Sequence, residues 1–147
     1  MPGVRSMYSY MGDFDESVPS NYFDVVFSIS VVEHVLNEKV EPFFADCCRI
    51  LKPGGMMAHA IDVYIFNVPG NLERLDLYRS AVETAGLEWV KQPKIDRRAI
   101  FKTCFASNSD ATMGAWNKIV PTLRSVREEA QSVSVKLLAF KKKMKWR

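Results

Sequence analysis

Two apolar runs joined by one amphipathic segment constrain this chain more than anything else in it. Residues 25–32, VVFSISVV, lead into Glu33-His34. A helical stretch then ends at Leu51-Lys52-Pro53-Gly54-Gly55, and a second run extends from Met56 to Ile61. Short, nearly unbroken apolar runs bounded by turn residues suit strands covered on both faces, so strand, helix, turn, strand reads as a parallel βαβ unit. The helix is expected over Glu38 to Leu51, with Pro42 in its first turn, where a missing N–H is harmless. Phe44, Cys47, Cys48 and Leu51 recur at i, i+3, i+4, i+7 and form one buried face. Both cysteines then read as small core hydrophobes. Lys52-Pro53-Gly54-Gly55 is the expected stop, because proline cannot continue a helix and glycine admits positive φ.

The flanking sequence extends this alternation. Residues 7–12, MYSYMG, suggest a short strand ended by Gly12-Asp13, and Asp15 to Asn21 a loop. The strand from Met56 continues to Tyr64. A helix over Asn71 to Ala85 presents Leu75, Tyr78, Val82 and Ala85 on one side and stops at Gly86. Further strands are expected at 87–90, 100–106 and 132–140. Between the last two, a helix opens at the N-cap candidate Asn108-Ser109-Asp110, carries Trp116 on its apolar face and is kinked at Pro121. Strands alternating with helices argue an α/β layer fold, its sheet mostly parallel with an antiparallel C-terminal strand.

The 147 residues fit one domain, and 48% apolar with 25% charged residues excludes global disorder. No run approaches the ~20 apolar residues of a membrane helix, and the N-terminus lacks a signal-peptide core. Cys47, Cys48 and Cys104 match neither a disulfide framework nor a zinc site, so a reducing, cytoplasmic setting is expected. Net charge is +3, but residues 136–147 hold six basic residues and no acid, leaving 14 basic against 17 acidic elsewhere. Without a basic stripe on the rest of the chain, the tail reads as a solvated strand end, and nucleic acid is an unfavoured partner.

FDVVFSISVVEHV followed by RILKPGG resembles the middle of the class I S-adenosylmethionine-dependent methyltransferases, of the type 11/12 kind, and the likeness covers residues 7–140. It implies an incomplete Rossmann-like methyltransferase fold: one domain over 1–147, corresponding to the C-terminal two-thirds of the family's domain and lacking its first βαβ portion. Gly12-Asp13-Phe14 is similar to the end of the family's third strand, where an acid accepts from the adenine amino group and the next residue stacks on the ring. Asp13 and Phe14 are thereby implied as cofactor contacts, with Ser30 and Val31 at the end of the following strand. The alternative for Asp13 is an ordinary turn aspartate. The seven glycines, at 3, 12, 54, 55, 70, 86 and 114, include no Gly-x-Gly pair. The family's glycine-rich loop and its ribose-binding acid are therefore not found, and S-adenosylmethionine binding is expected to be weak or absent.

Ligands of doubly wound sheets sit at the carboxyl ends of strands. Glu33, His34, His59 and Asp62 lie at or near two such ends. A histidine close to its ordinary pKa suits a general base toward a hydroxyl, which makes His34 and His59, with Glu33, the catalytic candidates. Some family members hold a divalent cation with Glu-x-x-Glu-His here. Ser30 stands at the first glutamate position, so no metal is expected. The structural alternative has Glu33 starting a helix and His34 packing under the strand ends. Helix 110–131 would roof the site or pack on the sheet. Without a preceding parallel strand, Asp24 to Ser30 becomes an apolar edge, a template for further pairing. It is expected to be covered by the N-terminal segment folding back or by a homodimer partner or other chain. Two functions follow: methyl transfer to a small-molecule acceptor, or a non-catalytic dimerising module derived from the same fold.

Overall fold

The computed structural model describes residues 3–65, 72–94 and 131–143, with the backbone alone for 62–65, 72–73 and 131–134. Strand β1 (Phe23–Ile29) is followed by two 3-10 turns, Val32–His34 and Asn37–Lys39, and by helix α1 (Val40–Ile50). Strand β2 (Leu51–Ile65), helix α2 (Leu72–Thr84) and strands β3 (Leu87–Lys91) and β4 (Gln131–Lys141) complete the described elements. The sheet order is β1-β2-β4-β3. β1 and β2 are parallel, while β4 runs antiparallel to both β2 and β3. Three strands thus share one direction and the C-terminal strand opposes them, as the alternation of elements predicts.

Both helices cover the same face of the sheet. Met57, His59 and Ile61 of β2 pair with Ala139, Leu137 and Val135 of β4, and all six are buried against Val40, Phe44 and Cys47 of α1 and Leu75, Tyr78 and Val82 of α2. The apolar spacing read from the sequence finds the buried Leu75, Tyr78 and Val82 of α2 and Phe44 and Cys47 of α1, while Cys48 is only half-buried and Leu51 belongs to β2. Gly86 ends α2 at φ +76, the left-handed conformation expected after a helix. The carboxyl end of α1 is capped from a distance. Lys141 Nζ donates to the carbonyls of Cys48 (2.8 Å) and Leu51 (3.0 Å), where a cation is favoured. Lys142 pairs with Glu88 at 2.9 Å. Two of the six tail cations are thus engaged within the fold.

Three expectations need correction. Residues 7–12 do not form a strand. Tyr8 and Tyr10 are largely exposed, and no described strand pairs with this segment. Lys52-Pro53-Gly54-Gly55 is not a separate turn before β2. Leu51 is already extended and pairs with Phe23, Val25 pairs with Met56, and the residues between bulge out. Gly55 is required in that bulge, because a Cβ there would stand 2.9 Å from the Lys52 carbonyl and 3.1 Å from that of Asp24. Finally, the N-terminal segment adds no strand to β1, which pairs with β2 alone among the described strands. The expected strand 100–106, helix 110–131, Cys104 and Trp116 lie outside the described residues, as do the side chains of Asp62 and Tyr64.

Candidate functional site

The site builds from the carboxyl ends of β1 and β2. β1 closes at Ser30, which takes φ +51 and donates its N–H to the Ala60 carbonyl at 2.9 Å. The chain then turns through Val31 into the 3-10 turn Val32–His34. Val32 is buried, Val31 is half exposed, and His34 faces solvent. One carboxylate oxygen of Glu33 is buried and has no hydrogen-bond partner among the described residues. Beneath it, Tyr78 of α2 is buried, and its hydroxyl accepts from Arg74 Nε at 2.6 Å. Arg74 also donates to the Val35 carbonyl, tying α2 to this turn. Burial raises the Tyr78 pKa, partly countered by Arg74.

His59 lies deeper. It is 2% exposed, with ring centroids 5.5 Å from Phe43 and 6.0 Å from Phe44. Ser28 Oγ and His59 Nδ1 share a hydrogen bond of 2.7 Å, and Nε2 has no partner among the described residues. Burial pushes its pKa down to about 4, so the ring is neutral near pH 7. A pocket of about 340 Å³ opens beside this pair, lined by Tyr10, Met11, Val26, Val31, Phe43 and Cys47 among others. Burial also raises the thiol pKa of Cys47, and that of the half-buried Cys48, which suits inert core residues.

The turn 12–14 is fixed from α1 by residues that the sequence reading did not single out. Asp46, 2% exposed, accepts from the backbone N–H of Gly12 (2.8 Å), that of Phe14 (3.2 Å) and Arg49 Nε (2.7 Å). Arg49 in turn donates to the carbonyls of Val18 (2.7 Å) and Asp15 (3.2 Å). A buried carboxylate is tolerated when its lone pairs are met in this way. Gly12 takes φ +102, and a Cβ there would stand 3.0 Å from the Phe43 nitrogen. A residue in the left-handed conformation follows at Phe14, φ +55. The clamp leaves the side chains of Asp13 and Phe14 outside. Asp13 faces Lys39 at 3.8 Å with its carboxylate more than half exposed, and Phe14 is 45% exposed. The available signal was an acid and a base three apart on the helix, Asp46 and Arg49, on a face otherwise apolar.

The fold brings Asp13 and Phe14 together in one clamped turn, and Ser30, Val31, Glu33 and His34 at the end of β1. It places exposed His34 and core-buried His59 in different surroundings. Among the described residues no group of three or more His, Cys, Asp or Glu side chains could hold a metal ion. No described helix is long and apolar enough to cross a membrane.

Residues 5–59 match the sequence family described as methyltransferase domain. A 35-residue stretch, 24% of this chain, is 51% identical to the ubiquinone biosynthesis O-methyltransferase of Maricaulis maris (strain MCS10), of which it covers 13%. Among solved structures, the [4+2]-cyclase SpnF superposes with a TM-score of 0.54 at 15% identity, over 89% of this chain and 54% of that one. Phosphoethanolamine N-methyltransferase 2 of Haemonchus contortus, solved with S-adenosyl-L-methionine, superposes with a TM-score of 0.50 at 17% identity, over 84% of this chain and 34% of that one. The chain therefore spans about half or less of the length of each of these three proteins. At these identities the structural likeness establishes the fold, and a cyclase among its bearers means that fold alone does not fix the reaction.

Proposed function

We propose that this chain, whose residues 5–59 match the methyltransferase domain family, forms the adenine and acceptor side of a methyl-transfer centre of the class I S-adenosylmethionine-dependent kind, acting on a small-molecule acceptor. The observation that carries the reading is the Asp46 clamp. It places a buried charge under Gly12 and Phe14, so that the Asp13 carboxylate, 3.8 Å from Lys39, and the Phe14 ring are exposed beside the start of α1. A carboxylate is acceptor-only and suits an exocyclic amino group, and an exposed ring offers a stacking face. The cofactor, when bound, supplies an electrophilic methyl on a sulfonium.

Of the two histidines, His34 is the accessible one and suits a base toward an acceptor hydroxyl. His59, neutral and enclosed, orders Ser28 and the floor of the pocket. The donor set fits the adenine end of the cofactor alone, since no Gly-x-Gly pair exists for the methionine end. The reading is therefore weak cofactor binding by this chain, in a reducing cytoplasmic setting, with residues 1–147 acting as one unit. A second reading, a non-catalytic module, is favoured by the outer edge of β1, which no other described strand covers and which suits a partner polypeptide.

Calorimetric titration with S-adenosylhomocysteine tests the first reading. Saturable binding that Asp13→Ala abolishes is the expected result. A folded protein showing no heat at millimolar ligand, or binding indifferent to Asp13→Ala, overturns it in favour of the module.

A further inference from the structure

We propose that the outer edge of β1 pairs, antiparallel, with β1 of a second copy of this chain about a two-fold axis at Val26. This rests on the covered-edge reading above and is independent of cofactor binding. Ser30 directs its N–H to Ala60 of β2. Because a strand alternates, the N–H and C=O groups of Val25, Phe27 and Ile29 point away from β2. Among the described residues no strand receives them. Their side chains lie on the sheet face opposite the two helices and are 52%, 71% and 71% exposed, flanked by Val31 at 47% and Met56 at 43%. Large apolar side chains exposed side by side on one strand face mark a surface that wants cover. From Val25 to Ile29 the strand carries no lysine, proline or charge, the edge's one charge being Asp24 at its start.

The strand's own pattern chooses the occupant. An interface on a two-fold axis must be self-complementary. FDVVFSI reads apolar, polar, apolar, apolar, apolar, polar, apolar, and is the same reversed. Centred on Val26, antiparallel pairing sets Val25 against the second copy's Phe27 and Phe23 against its Ile29. Val25 and Phe27 then exchange hydrogen bonds through outward-pointing groups. The polar positions also meet, Asp24 opposite Ser28, so the strand's one charge never faces its own image. Asp24 is moreover neutralised within its own chain by Lys52, at 2.8 and 2.9 Å. Cross-strand pairs of aromatic and β-branched residues are the stabilising units of such a ladder. The product is a continuous eight-stranded sheet built from two four-stranded ones.

The test is light scattering across a concentration series on the full chain, with residue-resolved amide exchange on the same samples and no cofactor. The expected result is a dimer in which the Val25, Phe27 and Ile29 amides exchange at least tenfold more slowly than in the dilute monomer. Phe27→Lys, with unchanged circular dichroism, should raise the dissociation constant by a hundredfold or more. A folded wild-type monomer at several hundred micromolar overturns the proposal. So does a dimer whose three amides exchange as fast as in the monomer, which would place the contact elsewhere. The wild-type exchange decides the matter even if the lysine variant fails to fold. A dimer without S-adenosylhomocysteine binding would sink the methyl-transfer reading and leave this one standing; a binding monomer would do the reverse.

Discussion

The two sides of the sheet are built from similar residues and meet opposite fates. On the side of α1 and α2, Met57, His59 and Ile61 of β2 are buried to within 2%, and even the charged Asp46 has every near neighbour it needs. On the other side Val25, Phe27 and Ile29 of β1 are half to mostly exposed, though no less apolar. Val26 and Met57 are register partners, as are Phe27 and Ala58, so the contrast is set one residue apart along a single strand pair. Apolarity states which surface wants cover. Whether cover is present depends on which other elements the chain supplies.

The largest effect that would sharpen this contrast comes from the covered side's buried charge. Asp46→Ala leaves the Gly12 and Phe14 amides and Arg49 without their acceptor. Breaking such an arrangement costs about 3–5 kcal/mol, to be read from the denaturant midpoint. A loss below about 1 kcal/mol would mean that solvent reaches the clamp and that this side is less closed than described. Arg49→Lys, which keeps the charge but not the planar fork, should recover part of the loss.

Acid is the next probe. The His59 pKa is about 4 in the fold and near 6.5 unfolded. In that interval the unfolded chain binds more protons, so stability rises with pH there. The contribution is fully present above about pH 6.5 and lost as pH falls toward 4, to a total of about 3 kcal/mol. Between pH 7.5 and 4 the wild type should therefore lose about 3 kcal/mol of unfolding free energy that His59→Phe, with no imidazole to titrate, does not lose. Parallel curves would show that His59 is solvated and that the pocket beside Ser28 is wet.

How much of this was legible beforehand differs by region for a physical reason. The two helical faces and the alternation of β1, α1 and β2 could be read because periodicity records burial locally. Asp13 and Phe14 were found by likeness to a family, and the fold sets them in one turn. Asp46 and Arg49 were not found, because their partners lie 31 to 34 positions away and are backbone groups, which leave no mark in sequence. The false strand at 7–12 shows the same limit in reverse: β propensity was present, but a strand exists only where a neighbour accepts its hydrogen bonds. His34 and His59 looked equivalent by chain position. One additional turn of 3-10 helix puts the first in water, and one strand register puts the second between two phenylalanines.

The smallest effect closes the comparison. Phe27→Ala removes the larger side chain but from a site 71% exposed, and in dilute monomer should change unfolding free energy by less than about 0.5 kcal/mol. Met57→Ala, one residue away across the same strand pair, removes a side chain 0% exposed and should cost about 2–5 kcal/mol by transfer and cavity terms. The ratio carries the weight, since both changes sit in β-strands and both trim to alanine. Equal losses in dilute solution would show that Phe27 is packed within its own chain, and the outer face would then be closed without a second copy. A small loss for Phe27 that grows with protein concentration, while that of Met57 does not, would assign the difference to the partner strand.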